Sequence, residues 1–228
     1  MQYTKKAELH CHTNIFRLFN TSFLYESVMT PEIIIQRALE LDISILAITD
    51  HNSMDGYKKG QKIISERNLP ILLIPAMELS TRSGHVLAYG IQSEIQTDLS
   101  LKETLHEIHH QGGIAVAAHP FFGEFGVRDE LSRYDFDGAE GYNTMTWGRV
   151  LLQAKTEIKK LGLPAIAGSD AHHPCVMGTG TTWFRESVNS EKDFIQAVKQ
   201  NDFSTKEIRP NIVKMIAEHA WGTVKILF

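Results

Sequence analysis

Five times along the 228-residue sequence a short aliphatic run stops on a histidine or an acid. "AELHCH" ends on His10 and His12, "ISILAITDHN" carries Asp50 and His51 at its end, and "LPILLIPAMELS" reaches Glu78. "GIAVAAHP" ends at His119, and "LPAIAGSDAHHP" runs into Asp170 and His172. Amphipathic segments separate these runs, an alternation that marks βα units built around a parallel sheet. Strands are expected at 6–10, 43–49, 69–75, 85–90, 114–118, 138–142, 164–167 and 181–185. In a parallel barrel the carboxyl ends of all strands open onto one face, so residues remote in sequence converge on a single pocket. On a strand His10 and His12 share one face while Leu9 and Cys11 share the other. Two imidazoles on one face can grip one cation, and the later strand ends would complete the site.

The helices carry their own punctuation. In "TPEIIIQRALELD", Thr30 caps, Pro31 fits the first turn and Glu32 complements the helix dipole. In "SLKETLHEIHHQGG", Ser100 caps and Gly112 stops the helix. Further helices are expected at 55–66, 149–161, 191–199 and 212–219. No repeat or long linker divides the chain, so one domain over 1–228 is expected. Apolar residues at 43% and charged residues at 22% exclude a disordered chain or a coiled coil. A net charge of −4 without a basic run argues against a groove for long nucleic acids, though a terminal nucleotide stays open as a ligand. No apolar stretch reaches the about 18 residues of a membrane span, and "MQYTKKAELH" lacks the apolar middle of a signal peptide. A cytoplasmic protein with no membrane partner is expected. Cys11 and Cys175 make neither a disulfide framework nor a thiolate zinc knot.

Imidazoles and carboxylates without thiolates suit Zn, Mn or Fe, and the strand-end set is too large for one tetrahedral ion. Two or three divalent ions sharing a carboxylate are expected. Such ions hold a bridging hydroxide and neutralise phosphoryl oxygens, which favours hydrolysis of a phosphoester. The chain has no Gly-x-Ser-x-Gly elbow, no phosphate-cradling glycine loop before a helix and no dinucleotide fingerprint after the first strand.

Four segments, "ELHCHT", "AITDHN", "AAHP" and "AGSDAH", resemble in order the signatures of the PHP family, named for its polymerase-associated and histidinol phosphatase members. The resemblance runs from Glu8 to Phe203. It implies an α/β fold, a distorted TIM-like (β/α)7 barrel of PHP type, with a trinuclear site. It also implies the ligands. His10, His12, Glu78 and Asp170 would hold the first metal, with Glu78 bridging to a second that His119 and His85, in "GHVLAYG", also bind. His51 and His172 would hold the third.

Family members commonly read His-Thr, a few residues, then Ser-Asp-Gly before Thr-Pro-Glu, where this chain has the longer "HTNIFRLFNTSFLYESVMTPE". Counting back from Thr30, Glu26 takes the place of that aspartate as the remaining ligand of the third ion. Arg17 in the inserted segment and Arg128 in "FGEFGVRDE" are candidate phosphate clamps, because a guanidinium fork suits phosphate oxygens. His173 is the candidate proton donor to the leaving group. Asp50 is expected to orient a ligand imidazole through its other nitrogen. The expected substrate is a small phosphomonoester or nucleotide. A nuclease trimming short oligonucleotide ends, or a metal-bound regulatory module without turnover, are the alternatives.

Overall fold

The computed structural model describes residues 2–14 and 27–208. Strand β1 (Tyr3–Glu8) is followed by α1 (Pro31–Glu40), β2 (Ile43–Ala47), α2 (Asp55–Arg67) and β3 (Leu72–Ile74). A hairpin of β4 (Ala76–Thr81) and β5 (Gly84–Tyr89) comes next, then α3 (Leu101–His110), β6 (Ile114–Ala117) and β7 (Gly138–Asn143). The described chain continues through α4 (Gly148–Leu161), β8 (Ala165–Gly168), β9 (Gly180–Arg185), α5 (Glu191–Lys199) and β10 (Ser204–Glu207). The helix expected at 212–219 lies outside the described residues. No described helix is long and apolar enough to cross a membrane.

The helix starts follow their sequence signals. Thr30 accepts the Ile33 amide at 3.3 Å with Pro31 in the first turn. Ser100 Oγ accepts the Glu103 amide at 3.3 Å while Glu103 Oε2 accepts the Ser100 amide at 2.9 Å. This reciprocal cap contributes about 1 kcal/mol.

The strands form two five-stranded sheets, in the orders β10-β9-β1-β2-β3 and β4-β5-β6-β7-β8. The α/β class is as expected, but the sheets are mixed: β5 and β9 run against both of their neighbours. Pro75 explains the strand that the sequence pattern hides. "LPILLIPAMELS" reads as one run, yet proline has no amide hydrogen to donate to a ladder. The chain therefore breaks there, β3 pairing with β2 in one sheet and β4 with β5 in the other. The tenth strand, "STKE", is polar and lies on an edge, so no apolar pattern announces it.

Among the described residues the strand ladders do not close into a single seven-stranded ring. The sheets meet through isolated parallel bridges at Cys11–Ala171 and His51–Glu78. Thr182 Oγ1 adds a further tie, accepting the Ala167 amide and donating to the Ala167 carbonyl, both at 3.0 Å. From Ile45 to Ile48, at and just past the end of β2, alternate residues serve different layers, as a two-residue period requires. Ile45 and Ala47 join Ala7, Leu87, Val116 and Phe184 in one core cluster, whereas Leu46 and Ile48 pack with Ile34, Ile35 and Ala38 of α1. The alternation expected through Leu9 and Cys11 does not persist, because the ladder of β1 ends at Glu8. Leu9 belongs to the first cluster and Cys11 to the one beneath α1.

Candidate metal centre

Glu78, in the middle of β4 and 1% exposed, gathers five imidazoles onto one carboxylate. Its Oε2 lies 3.2 Å from His10 Nε2 and 3.3 Å from both His12 Nε2 and His51 Nδ1. Its Oε1 lies 3.0 Å from His85 Nδ1 and 3.1 Å from His119 Nε2. Asp170, just past β8, is a second pole: its Oδ1 stands 3.4 Å from His10 Nε2, 3.2 Å from His12 Nε2 and 3.7 Å from His172 Nδ1. His12 stacks on His51 and on His172 with ring centroids 4.8 and 4.4 Å away. The strand-end residues of the sequence pattern thus meet in one place.

The hairpin explains how His85 joins them. It opens a strand instead of closing one, but β5 runs antiparallel to β4, so its first residues lie beside the end of β4. Glu78 faces Leu87 across the ladder, which makes His85 its diagonal neighbour on the same face. His119 and Asp170 have φ of 27° and 53°. Left-handed backbone at a residue other than glycine costs about 1–3 kcal/mol, and it persists where surrounding contacts impose it.

Two buried acids support the centre from behind. Glu140, within β7, places Oε1 2.9 Å from His10 Nδ1 and accepts the His119 amide on Oε2 at 2.7 Å. Asn143 donates to Glu140 Oε2 at 2.8 Å and to Asp170 Oδ2 at 3.2 Å. A Cβ on Gly168 would fall 2.3 Å from Glu140 Oε1 and 2.6 Å from His10 Cβ, so this position must be glycine for the acid and the ring to fit. Glu8 accepts the amides of His10 at 3.3 Å, Ser169 at 3.1 Å and Gly178 at 2.8 Å. It fastens β1 to the segment that bears Asp170 and His172. Ser27 Oγ donates to the carbonyls of His12 and His172, at 2.7 and 3.1 Å.

The charge balance is that of a cation site. Burial alone would lift Glu78, but His51, His10 and His85 outweigh it and hold the carboxyl well below its usual range. Asp170 is likewise held low against its burial by His10 and His12. Burial would depress His10, yet Asp170, Glu140 and Glu78 together raise it well above an ordinary histidine. His119 is raised against its burial by Glu78. His12 goes the other way: burial lowers it to about 3 despite the pull of the Asp170 carboxylate beside it. Both ring nitrogens of His12 and the Nδ1 of His119 are buried with no hydrogen-bond partner among the described residues. A buried polar atom left so is costly, and an imidazole nitrogen without a proton partner is free to hold a divalent cation. Three groups place their donor atoms within 4.8 Å of one another: His12, His51 and His172; His10, His12 and Glu78; His51, Glu78 and His85. The residues present fit two or three ions. Cys11 contributes nothing to them: burial and then Glu8 push its thiol well up, and it donates to the Ala47 carbonyl at 3.4 Å.

The other expected residues fare differently. Glu26 and Arg17 lie outside the described residues. The Asp50 carboxylate receives the amide and hydroxyl of Thr13, at 2.5 and 2.7 Å. The acid that meets a ring nitrogen of His10 is Glu140. Arg128 is exposed and spends its guanidinium on the Gly123 carbonyl, 2.8 Å from Nε, which closes the loop after His119. His173 Nδ1 accepts the Cys175 amide at 3.3 Å and lies 2.9 Å from the Cys175 sulfur. Sequence reasoning passed over Glu140, Asn143 and Glu8. The signal for Glu140 was present, a single acid in the small-residue strand "GAEGYN".

An uncharacterised protein of Methanocaldococcus jannaschii is 32% identical over 142 residues, which cover 60% of this chain and 81% of that one. A two-domain protein of Bacteroides vulgatus that contains a predicted PHP-like metal-dependent phosphoesterase superposes with a TM-score of 0.73 at 16% identity, over 90% of this chain and 66% of that one. The family model described as PHP-associated matches residues 148–203. The chain belongs to the PHP family. The PHP-associated match takes in α4, β8, Asp170 and His172. A 5'-3' exoribonuclease of Salmonella typhimurium is 34% identical over 79 residues, 35% of this PHP chain but only 24% of the enzyme.

Proposed function

We propose that this PHP chain is a metal-dependent phosphoesterase acting on small phosphorylated substrates. The observation that carries the reading is the Glu78 carboxylate with five imidazole nitrogens at 3.0–3.3 Å. His10, His12, Glu78 and Asp170 would hold one divalent cation, and Glu78, His85 and His119 a second. His51 and His172 would hold a third, with Glu26 as its further ligand. Zn, Mn or Fe bound there supplies Lewis acidity toward phosphoryl oxygens and water. The chain's own residues do the rest. Glu140 fixes the ring of His10, while Asp50 fixes the turn at Thr13 that follows His12. His173 takes the part of proton donor to the leaving group. Arg17 is a second choice, for holding the substrate phosphate; Arg128 would have to leave the Gly123 carbonyl to do so. In this reading the two sheets are halves of one distorted barrel whose seams are the Cys11–Ala171 and His51–Glu78 bridges. Two free cysteines agree with a reducing, cytoplasmic setting.

The test is elemental analysis of untagged protein prepared without chelator, coupled to a phosphoester screen. More than one equivalent of transition metal and release of phosphate are expected, both lost in His10→Ala. His173→Gln should keep its metal while losing turnover most on substrates with poor leaving groups. A chain that hydrolyses nothing when fully loaded ends the proposal. The likeness to the exoribonuclease favours a second reading, trimming of short RNA ends. Comparing mononucleotides with short oligonucleotides as substrates separates the two.

A further inference from the structure

Immediately after His119 the chain makes a loop, 120–127, whose backbone is pinned to itself and to β5. The Phe122 amide donates to the His119 carbonyl at 2.8 Å, Gly126 to Phe122 at 3.0 Å and Arg128 to Pro120 at 2.7 Å. The His85 amide donates to the Phe125 carbonyl at 2.7 Å. Glycines permit this closeness: a Cβ on Gly126 would lie 2.4 Å from the Pro120 oxygen, and one on Gly84 2.7 Å from the Gly126 carbonyl carbon. Backbone meets backbone at both points, so the loop has little room to shift.

This fixed frame holds an aromatic ring in water. Phe125 is 53% exposed, with its centroid 5.2 Å from that of His85. Phe122 backs it at 6.3 Å with planes 24° apart, and itself lies 5.9 Å from the ring of His119. A phenylalanine that served only to shield the imidazoles would be buried by its contacts. Here a flat apolar surface stands beside His85 and His119, the donors assigned above to the second cation. The loop offers no free cation either, since Arg128 is committed to Gly123. A ligand that suits both surfaces has a phosphate at one end and an uncharged, planar, aromatic group at the other.

We propose that Phe125, backed by Phe122, is a stacking platform for the base of a nucleotide whose phosphate occupies the metal centre. The substrate class is thus the nucleoside phosphates, either free or as the terminal residue of a strand. The proposal rests on the phosphoesterase reading. Stacking accepts any base, since every base has a π-face, so the nucleobase is selected as a class without a strong preference among the four.

The experiment compares adenosine 5'-monophosphate, uridine 5'-monophosphate and ribose 5-phosphate on the full chain loaded with Mn2+. Calorimetry reads binding and phosphate release reads turnover. Both nucleotides are expected to bind at least about fivefold tighter than ribose 5-phosphate, the low end of what one stacked base contributes. Phe125→Ala should erase that ratio and Phe125→Tyr should retain it, with bound metal measured in each variant to confirm an intact centre. Equal affinity for nucleotide and ribose 5-phosphate in the wild type overturns the platform, as does a ratio that survives Phe125→Ala. The two readings fail separately. Phosphate release without a base effect leaves the phosphoesterase and removes the platform; a base effect on binding with no release from any phosphoester does the reverse.

Discussion

Glu140 shows what a single buried acid does for a neighbouring ligand. Its carboxylate sets the Nδ1 of His10 and, through the His119 amide, the backbone of another strand end. A partner behind a ligating imidazole fixes its tautomer and raises its basicity, and losing it typically costs 10–100-fold in metal affinity or activity. Glu140→Gln should therefore weaken metal binding by about that factor while the fold, read by circular dichroism, stays intact. Unchanged affinity in a chelator competition would reduce Glu140 to a packing residue. Protons must also compete with metal here. His10 and His119 are raised above ordinary histidine, so both rings hold their protons more tightly than a free imidazole and a cation must displace them. Lowering the pH favours the protonated rings, so metal affinity should climb as the pH rises through the range where these raised histidines lose their protons, and binding should release protons. Calorimetry in buffers of different ionisation heat measures both, and a flat profile without release would contradict the assignment. At this scale much was readable beforehand. His10, His12, His51, Glu78, His119, Asp170 and His172 each follow an aliphatic run, and the run locates them. Glu140 and Glu8 sit inside strands, where only the fold reveals that a carboxylate is buried and whom it meets.

At the scale of elements, the hairpin of β4 and β5 decides the site's shape. The sequence pattern put Glu78 at the end of an aliphatic run whose strand was expected at 69–75, but it did not foresee a second strand after Pro75, in the other sheet. Local composition also failed to reveal the direction of β5, since antiparallel and parallel strands share the same aliphatic pattern. Helix starts fared better, because caps such as Thr30 and Ser100 act within one turn and leave a local signature. β8 is the element with least tolerance. Gly168 lies against both Glu140 and His10, so Gly168→Ala must push one of them aside. Overpacking of this kind costs about 1–3 kcal/mol. The variant should melt several degrees lower and bind less metal, whereas Ser100→Ala, on the far-off cap of α3, should melt about 2–4 °C lower with full metal content. Equal metal loading in the two variants would show that β8 tolerates the extra methyl.

For the molecule as a whole, a ligand that binds only the folded state adds RT ln(1 + [L]/Kd) to its stability. Metal held by residues from both sheets should therefore couple the sheets. Stripping it with chelator should lower the melting temperature, and adding back Mn2+ or Zn2+ should restore it in a concentration-dependent way. A melt insensitive to chelator would mean the donors meet without help. The architecture also sets an order of events during biosynthesis. β1 lies between β2 and β9, so the strand that delivers His10 and His12 is flanked on one side by residues 180–185. Asp170 follows His10 by about 160 residues, which at ribosomal speeds means roughly 8–30 s between the emergence of one and the other. For that interval the early imidazoles are exposed to any ion the surroundings offer, and the selection of the correct cargo falls to the finished polypeptide.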